Sequence, residues 1–147
     1  MFTVGKILYF KPFVFKNGAQ PKNKYFIVLK NTDSETILAS LPTSGDHVPV
    51  IHLKDEGCIE VKSSQISCFV ISPNIPVTKC GKCLELPTFI YASQLDTYNV
   101  DELKSRYPIE KVDYEVYGEM NQRIFNSLIL CLKNANTLKR KYKPLFR

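Results

Sequence analysis

The chain reads as a mainly β protein with helices appended at its C-terminal end: a small barrel or sandwich, then a short helix and one long amphipathic helix. Short runs rich in β-branched and aromatic residues, set off by Gly, Pro and Asn, recur as far as residue 98 with little helix between them. Beyond residue 113 the apolar positions change to helical spacing. At 147 residues the chain is long enough to bury a core and is most simply one domain. Its expected parts are a barrel over about 1–98, a short helix over 99–106, a C-terminal helix over 113–136 and a basic tail over 137–147.

Gly5 to Phe10 is the first strand, continued as Phe13-Val14-Phe15 after Pro12. Residues 16–23 form a polar loop with an Asn17-Gly18 turn, a proline and lysines. It is longer than a hairpin link requires and is read either as a binding loop or as plain solvated connection. Tyr25–Leu29 and Thr36–Leu41 are buried strands around the turn formers Asn31-Thr32-Asp33-Ser34. If they pair antiparallel, positions near 24 and 43 reach the same end. Lys24 and the hydroxyls of Thr43 and Ser44 would then face one pocket. Val50–Leu53, Gly57–Val61, Cys68–Ile71 and Thr88–Ala92 are further strands. Asn99 with Glu102 three places on is a capping signature, and Pro108 ends that helix soon after. From Asp113 to Asn136 the positions Tyr117, Met120, Ile124, Leu128, Cys131 and Ala135 suggest a stripe packed on the barrel.

The net charge of +6 is unevenly placed. Residues 133–147 hold six basic side chains and no acid, and removing those six leaves fourteen basic against fourteen acidic groups. Such a segment attracts phosphate or an acidic partner, or is a solvated helix end that suits the helix dipole. No apolar run reaches the roughly 18 to 20 residues of a membrane span, and the N-terminal residues lack a signal-peptide pattern. The expectation is a soluble cytoplasmic protein that engages no membrane. Five cysteines form an odd set that predicts reduced thiols, with Cys131 as a small core residue. Cys80-Gly81-Lys82-Cys83 has the spacing of a zinc knuckle, a redox pair or a turn between strands. One such pair lacks the four ligands of tetrahedral zinc, so no metal or other cofactor is expected.

These residues, in this order, resemble the MazF/PemK/Kid-type toxins. The likeness runs through Gly5-Lys6-Ile7-Leu8, the basic glycine-containing loop, Phe26-Ile27-Val28-Leu29 and Leu41-Pro42-Thr43-Ser44. It resumes at Phe89–Tyr98, with its Gln94-Leu95-Asp96-Thr97 turn, and at the terminal helix. Residues 57–86 match nothing in that pattern. The resemblance implies an SH3-like, PemK-like barrel, a homodimer, and cleavage of single-stranded RNA without metal. It also implies an antitoxin protein whose disordered tail lies along the same groove.

The implied chemistry needs little apparatus. The ribonucleotide's own 2′-hydroxyl attacks the adjacent phosphate, so the enzyme aligns it, moves protons and neutralises phosphoryl charge. By the resemblance, Thr43 with Ser44 contacts phosphate, and Lys24 stands where the family carries an arginine. The family's Arg-Pro pair is Lys24-Tyr25 here. Lysine keeps the charge and loses the planar fork that holds two phosphate oxygens. His47 and His52 follow, and His47 is the acid-base candidate because imidazole titrates near neutrality. Lys16, Gln20, Lys22 and Tyr25 are the expected RNA-binding residues. Two functions follow: a metal-independent endoribonuclease, or a non-catalytic module holding RNA or an antitoxin peptide in the same groove, with Tyr25 and Tyr91 as stacking surfaces.

Overall fold

A computed structural model describes residues 2–42 and 56–146. Thr43, Ser44, His47, His52 and the expected strand Val50–Leu53 lie outside the described residues. The described strands form two sheets and not a closed barrel. The larger is built from β1 (Lys6–Phe13), β2 (Lys22–Asn31), β3 (Glu35–Ser40), β7 (Asp96–Asn99) and β8 (Tyr114–Glu119), in the order β7-β3-β2-β1-β8. The smaller is β4 (Glu56–Val61), β5 (Ile66–Ile71) and β6 (Thr88–Tyr91), side by side.

The expected hairpin is present. β2 pairs antiparallel with β3 from Phe26 opposite Ser40 to Asn31 opposite Thr36, and the Leu41 N–H donates to the Tyr25 carbonyl at 3.0 Å. Period-two alternation divides the large sheet between two cores. Ile7, Ile27, Leu29, Ile37 and Ala39 face the small sheet's Phe69, Ile71 and Ile90. Leu8, Phe10, Phe26, Val28 and Leu38 face the other way and meet Leu103 and Tyr107. Those two come from α1 (Val100–Arg106) and the residue after it. That helix starts where the sequence places it, with Asn99 Oδ1 accepting the Glu102 N–H at 3.0 Å. The second core is largely aromatic, Phe10 lying 5.7 Å from Phe26 and 4.8 Å from Tyr107 edge-on.

The expected helix over 113–136 is corrected. Its first part is strand β8, which pairs with β1, and only Gln122–Lys133 is helix (α2), capped by Asn121 Oδ1 on the Ile124 N–H at 2.9 Å. Tyr114 and Val116 pack on the aromatic core while Glu115 between them points outward to Lys11 at 2.8 Å, so the period here is two. Tyr117 and Met120 pack with the same core as Ile124 and Leu128, which gave a strand and a helix one apparently continuous stripe. Leu128 is fully buried, and its truncation to alanine would cost about 3 kcal/mol.

Two further expectations change. The basic tail is not a solvated helix end: Arg140–Phe146 forms a 3-10 helix whose Tyr142 and Phe146 are buried, with Leu138 buried just before it. Its lysines remain exposed while the Tyr142 hydroxyl accepts from Thr97 Oγ1 at 3.0 Å. The cysteines are not all reduced, because Cys58 and Cys131 form a disulfide across a Cα separation of 5.5 Å. The bond ties β4 to α2. In a chain-entropy account a closed loop of this length stabilises by roughly 4 kcal/mol. Among the described residues no helix is long and apolar enough to cross a membrane.

Candidate nucleic-acid interface

On the aromatic-core side of the large sheet lies an open groove of about 580 Å³. One wall is the loop between β1 and β2, with Phe15, Asn17, Ala19 and Gln20. Lys22, Lys24 and Phe26 of β2, Leu38 and Ser40 of β3, and Gln94, Asp96 and Tyr98 complete it. The registers explain the grouping. Lys24 stands opposite Phe10, Phe26 opposite Ser40, and Leu38 opposite Asp96, so alternate residues of three neighbouring strands share one face.

The first half of the loop is held by its own turn and by Lys16. The Gly18 N–H donates to the Phe15 carbonyl at 3.3 Å, Asn17 Oδ1 accepts from the Ala19 N–H at 2.9 Å, and Gly18 takes φ +80, which a side chain would resist. Lys16 anchors the loop to β7. Its Nζ lies 3.2 Å from Asp96 Oδ1, donates to the Thr97 carbonyl, and sits 4.3 Å from the Tyr98 ring centroid.

Lys24 is half-buried at the strand end. Burial first, and the neighbouring Lys22 charge second, hold its pKa below the usual lysine range. Neither Lys22 nor Lys24 forms an ion pair among the described residues. Burial, with Asp96 next, pushes the Tyr98 hydroxyl well up, so the phenol stays neutral. A cation pair, three aromatic rings and amide and hydroxyl groups in one open trough suit a phosphate chain with stacked bases.

Of the expected site residues, the structure brings Gln20, Lys22 and Lys24 together in this groove, with Lys16 at its edge. Tyr25 is not with them. Adjacent in sequence to Lys24, it points to the opposite face, into a cleft of about 100 Å³ with Leu41, Leu84, Leu86 and Tyr117. There it lies 4.4 Å from the Tyr9 ring and 5.5 Å from the Tyr117 ring, and burial raises its pKa. Tyr91 is buried in a third cluster on the small sheet beside Phe89. Phe15, Ser40, Gln94, Asp96 and Tyr98 were not expected as site residues, although Gln94 and Asp96 stand in the turn that carries the resemblance. The register of Ser40 opposite Phe26 could have found Ser40, whereas Asp96 and Tyr98 required knowing that β7 pairs with β3.

The Cys80–Cys83 spacing belongs to a turn. Residues 78–81 reverse the chain, the Gly81 N–H donating to the Thr78 carbonyl at 3.0 Å, and Gly81 takes φ +90. The exposed Cys80 thiol sits 3.2 Å from Thr78 Oγ1, and that hydrogen bond, with the Lys82 backbone and charge, lowers its pKa. Among the described residues no group of three or more His, Cys, Asp or Glu side chains is arranged to hold a metal ion.

Compared with family models, with curated proteins and with solved structures, the chain matches none.

Proposed function

We propose that this protein binds single-stranded RNA in the groove of Lys22, Lys24 and Tyr98, and cleaves it by attack of the substrate's 2′-hydroxyl on the adjacent phosphate. The observation that carries the reading is Lys24 itself: a half-buried ammonium with a lowered pKa and no ion pair among the described residues, on the wall of an aromatic trough. Protonated, it neutralises phosphoryl oxygens. In the share that is neutral, it accepts the hydroxyl proton as the 2′-oxygen bonds to phosphorus and the P–O5′ bond breaks, and the departing 5′-oxygen takes up a proton from an acid, by the resemblance His47, or from water. Lys22 adds charge at the mouth, and Phe15 and Tyr98 supply flat surfaces for bases.

The sequence resemblance to MazF/PemK/Kid-type toxins supports the same reading. From it alone come phosphate contact by Thr43 and Ser44, proton transfer by His47, a homodimer and an antitoxin peptide that competes for the groove. Thr43 follows directly on Pro42, whose carbonyl accepts the Phe89 N–H at 2.9 Å at the end of the hairpin.

Incubation of the purified protein with mixed-sequence single-stranded RNA in EDTA tests this. The expected result is cleavage that leaves 2′,3′-cyclic phosphate ends and is lost on Lys24→Ala. Salt-dependent binding with intact RNA would remove the cleavage step and leave a binding module. Binding indifferent to salt and to Lys22 and Lys24 would remove both.

A further inference from the structure

Beside the groove lies a second cavity of about 270 Å³, and Tyr98 lines both. We propose that this second cavity is a guanine pocket that selects the nucleotide next to the one held at Lys24, an inference that rests on the RNA reading above. Its floor is apolar and flat. Phe13 and Leu103 are buried, and Phe13 stacks on Tyr107 with ring centroids 5.7 Å apart and planes inclined by 13°. The Tyr107 hydroxyl is held by the Val14 N–H at 2.8 Å, which fixes that floor to the start of the binding loop.

Its rim carries four charges: Lys16 from the loop, Glu35 as the first residue of β3, and Glu102 and Arg106 from α1. Glu102 and Arg106 stand four residues apart on one helix, the spacing at which opposite charges pair. Yet neither they nor Glu35 form an ion pair among the described residues. Two carboxylates that accept and one guanidinium that donates therefore border an apolar slot, with the Lys16 ammonium, paired to Asp96, on its Tyr98 side.

Guanine matches that set. Its N1–H and amino group donate side by side to a carboxylate, while O6 and N7 accept from a guanidinium fork. Adenine offers no adjacent pair of donors. Cytosine and uracil lack the O6/N7 edge. Lys16 completes the arrangement: it lies over the Tyr98 ridge between the cavities, bonded to Asp96. A phosphate joining two nucleosides that straddle the ridge would meet this ammonium and draw it off an exposed ion pair of little net strength.

The test uses the full chain and fluorescently labelled 2′-O-methyl hexanucleotides, which carry no attacking hydroxyl: hexauridylate, and the same strand with one G, A or C. The expected anisotropy result is about tenfold tighter binding of the G-containing strand. Glu102→Gln and Arg106→Gln, both exposed changes, are expected to abolish that preference and leave hexauridylate affinity within about twofold. Equal affinity for all four strands, or a G preference that survives both variants, overturns the pocket. A parallel titration with guanosine and adenosine monophosphates separates the two levels of the argument. Selective guanosine monophosphate binding without hexauridylate binding keeps the pocket and removes the RNA groove. Salt-dependent hexauridylate binding with no gain from G keeps the groove and removes the pocket.

Discussion

The loop joining β1 to β2 and the hairpin over residues 76–83 share a recipe: lysines set around a glycine at positive φ, Gly18 in one and Gly81 in the other. In the hairpin both lysines are engaged by the protein itself. Lys79 Nζ lies 3.0 Å from Glu119, and Lys82 Nζ donates to the Tyr117 carbonyl at 2.8 Å and covers its ring. In the loop Lys16 is so engaged, whereas Lys22, 6.0 Å over the Phe15 ring, and Lys24, both at the start of β2, line the groove without an ionic partner among the described residues. The difference lies in what stands opposite. The hairpin docks on β8, where Gly118 lets Thr78 approach and Thr78 bridges to Met120. The loop touches β7 through Lys16 and otherwise leaves the groove open between itself, β2, β3 and β7. Lysine content therefore says little about binding until the neighbouring strand is known.

The sharpest way to break this contrast is to remove the two groove charges, Lys22 and Lys24. Lys22→Ala with Lys24→Ala is expected to weaken single-stranded RNA binding by roughly 3 kcal/mol, about a hundredfold, from two charge-assisted contacts. Thermal unfolding should scarcely move. Equal loss from Lys79→Ala with Lys82→Ala would erase the distinction.

Next in size is Gly118→Ala, which acts on the hairpin side. The added Cβ would lie 2.7 Å from Thr78 Cγ2, and Thr78 is buried, so the docking must shift at a cost of about 2 kcal/mol, read by denaturant unfolding. The corresponding change in the loop, Gly18→Ala, meets no atom within 4 Å and carries only its conformational penalty, about 1 kcal/mol.

A third measurement sharpens the role of Lys24. Its folded pKa is lowered, so the cation that grips phosphate is lost as pH rises through a range where an ordinary lysine is still charged. Affinity should fall over that range by up to about tenfold, and Lys24→Arg should flatten the profile. Stability moves the other way. Between the folded and unfolded pKa values the unfolded chain binds more protons, so the fold gains stability with rising pH in that window. The smallest effect is expected from Lys79→Ala, whose exposed pair with Glu119 is worth at most about 0.5 kcal/mol.

Much of the β architecture was legible because it is written in short-range signals. Alternation and turn residues gave the β2–β3 hairpin, and Asn99 with Glu102 gave the start of α1. Where local signals coincide with a different fold they mislead. Tyr117, Met120, Ile124 and Leu128 keep helical spacing although the backbone changes at Asn121, because one core receives them all. The Cys58–Cys131 bond crosses 73 residues and depends on α2 lying against β4. At the groove, the sequence supplied the loop cations but not the strand that faces them. It also placed Tyr25 beside Lys24, since neighbours in a chain look like neighbours in space until the strand's alternation turns one of them away.

That same cystine makes the chain between Cys58 and Cys131 a closed covalent ring, with the 76–83 turn on its circumference. A protease that nicks the ring at Lys79 or Lys82 separates no fragment. The cut protein should run as one species until a reductant is added and as two afterwards, and β1, β2 and β3, which lie outside the ring, would still hold the loop, Lys22 and Lys24 in place.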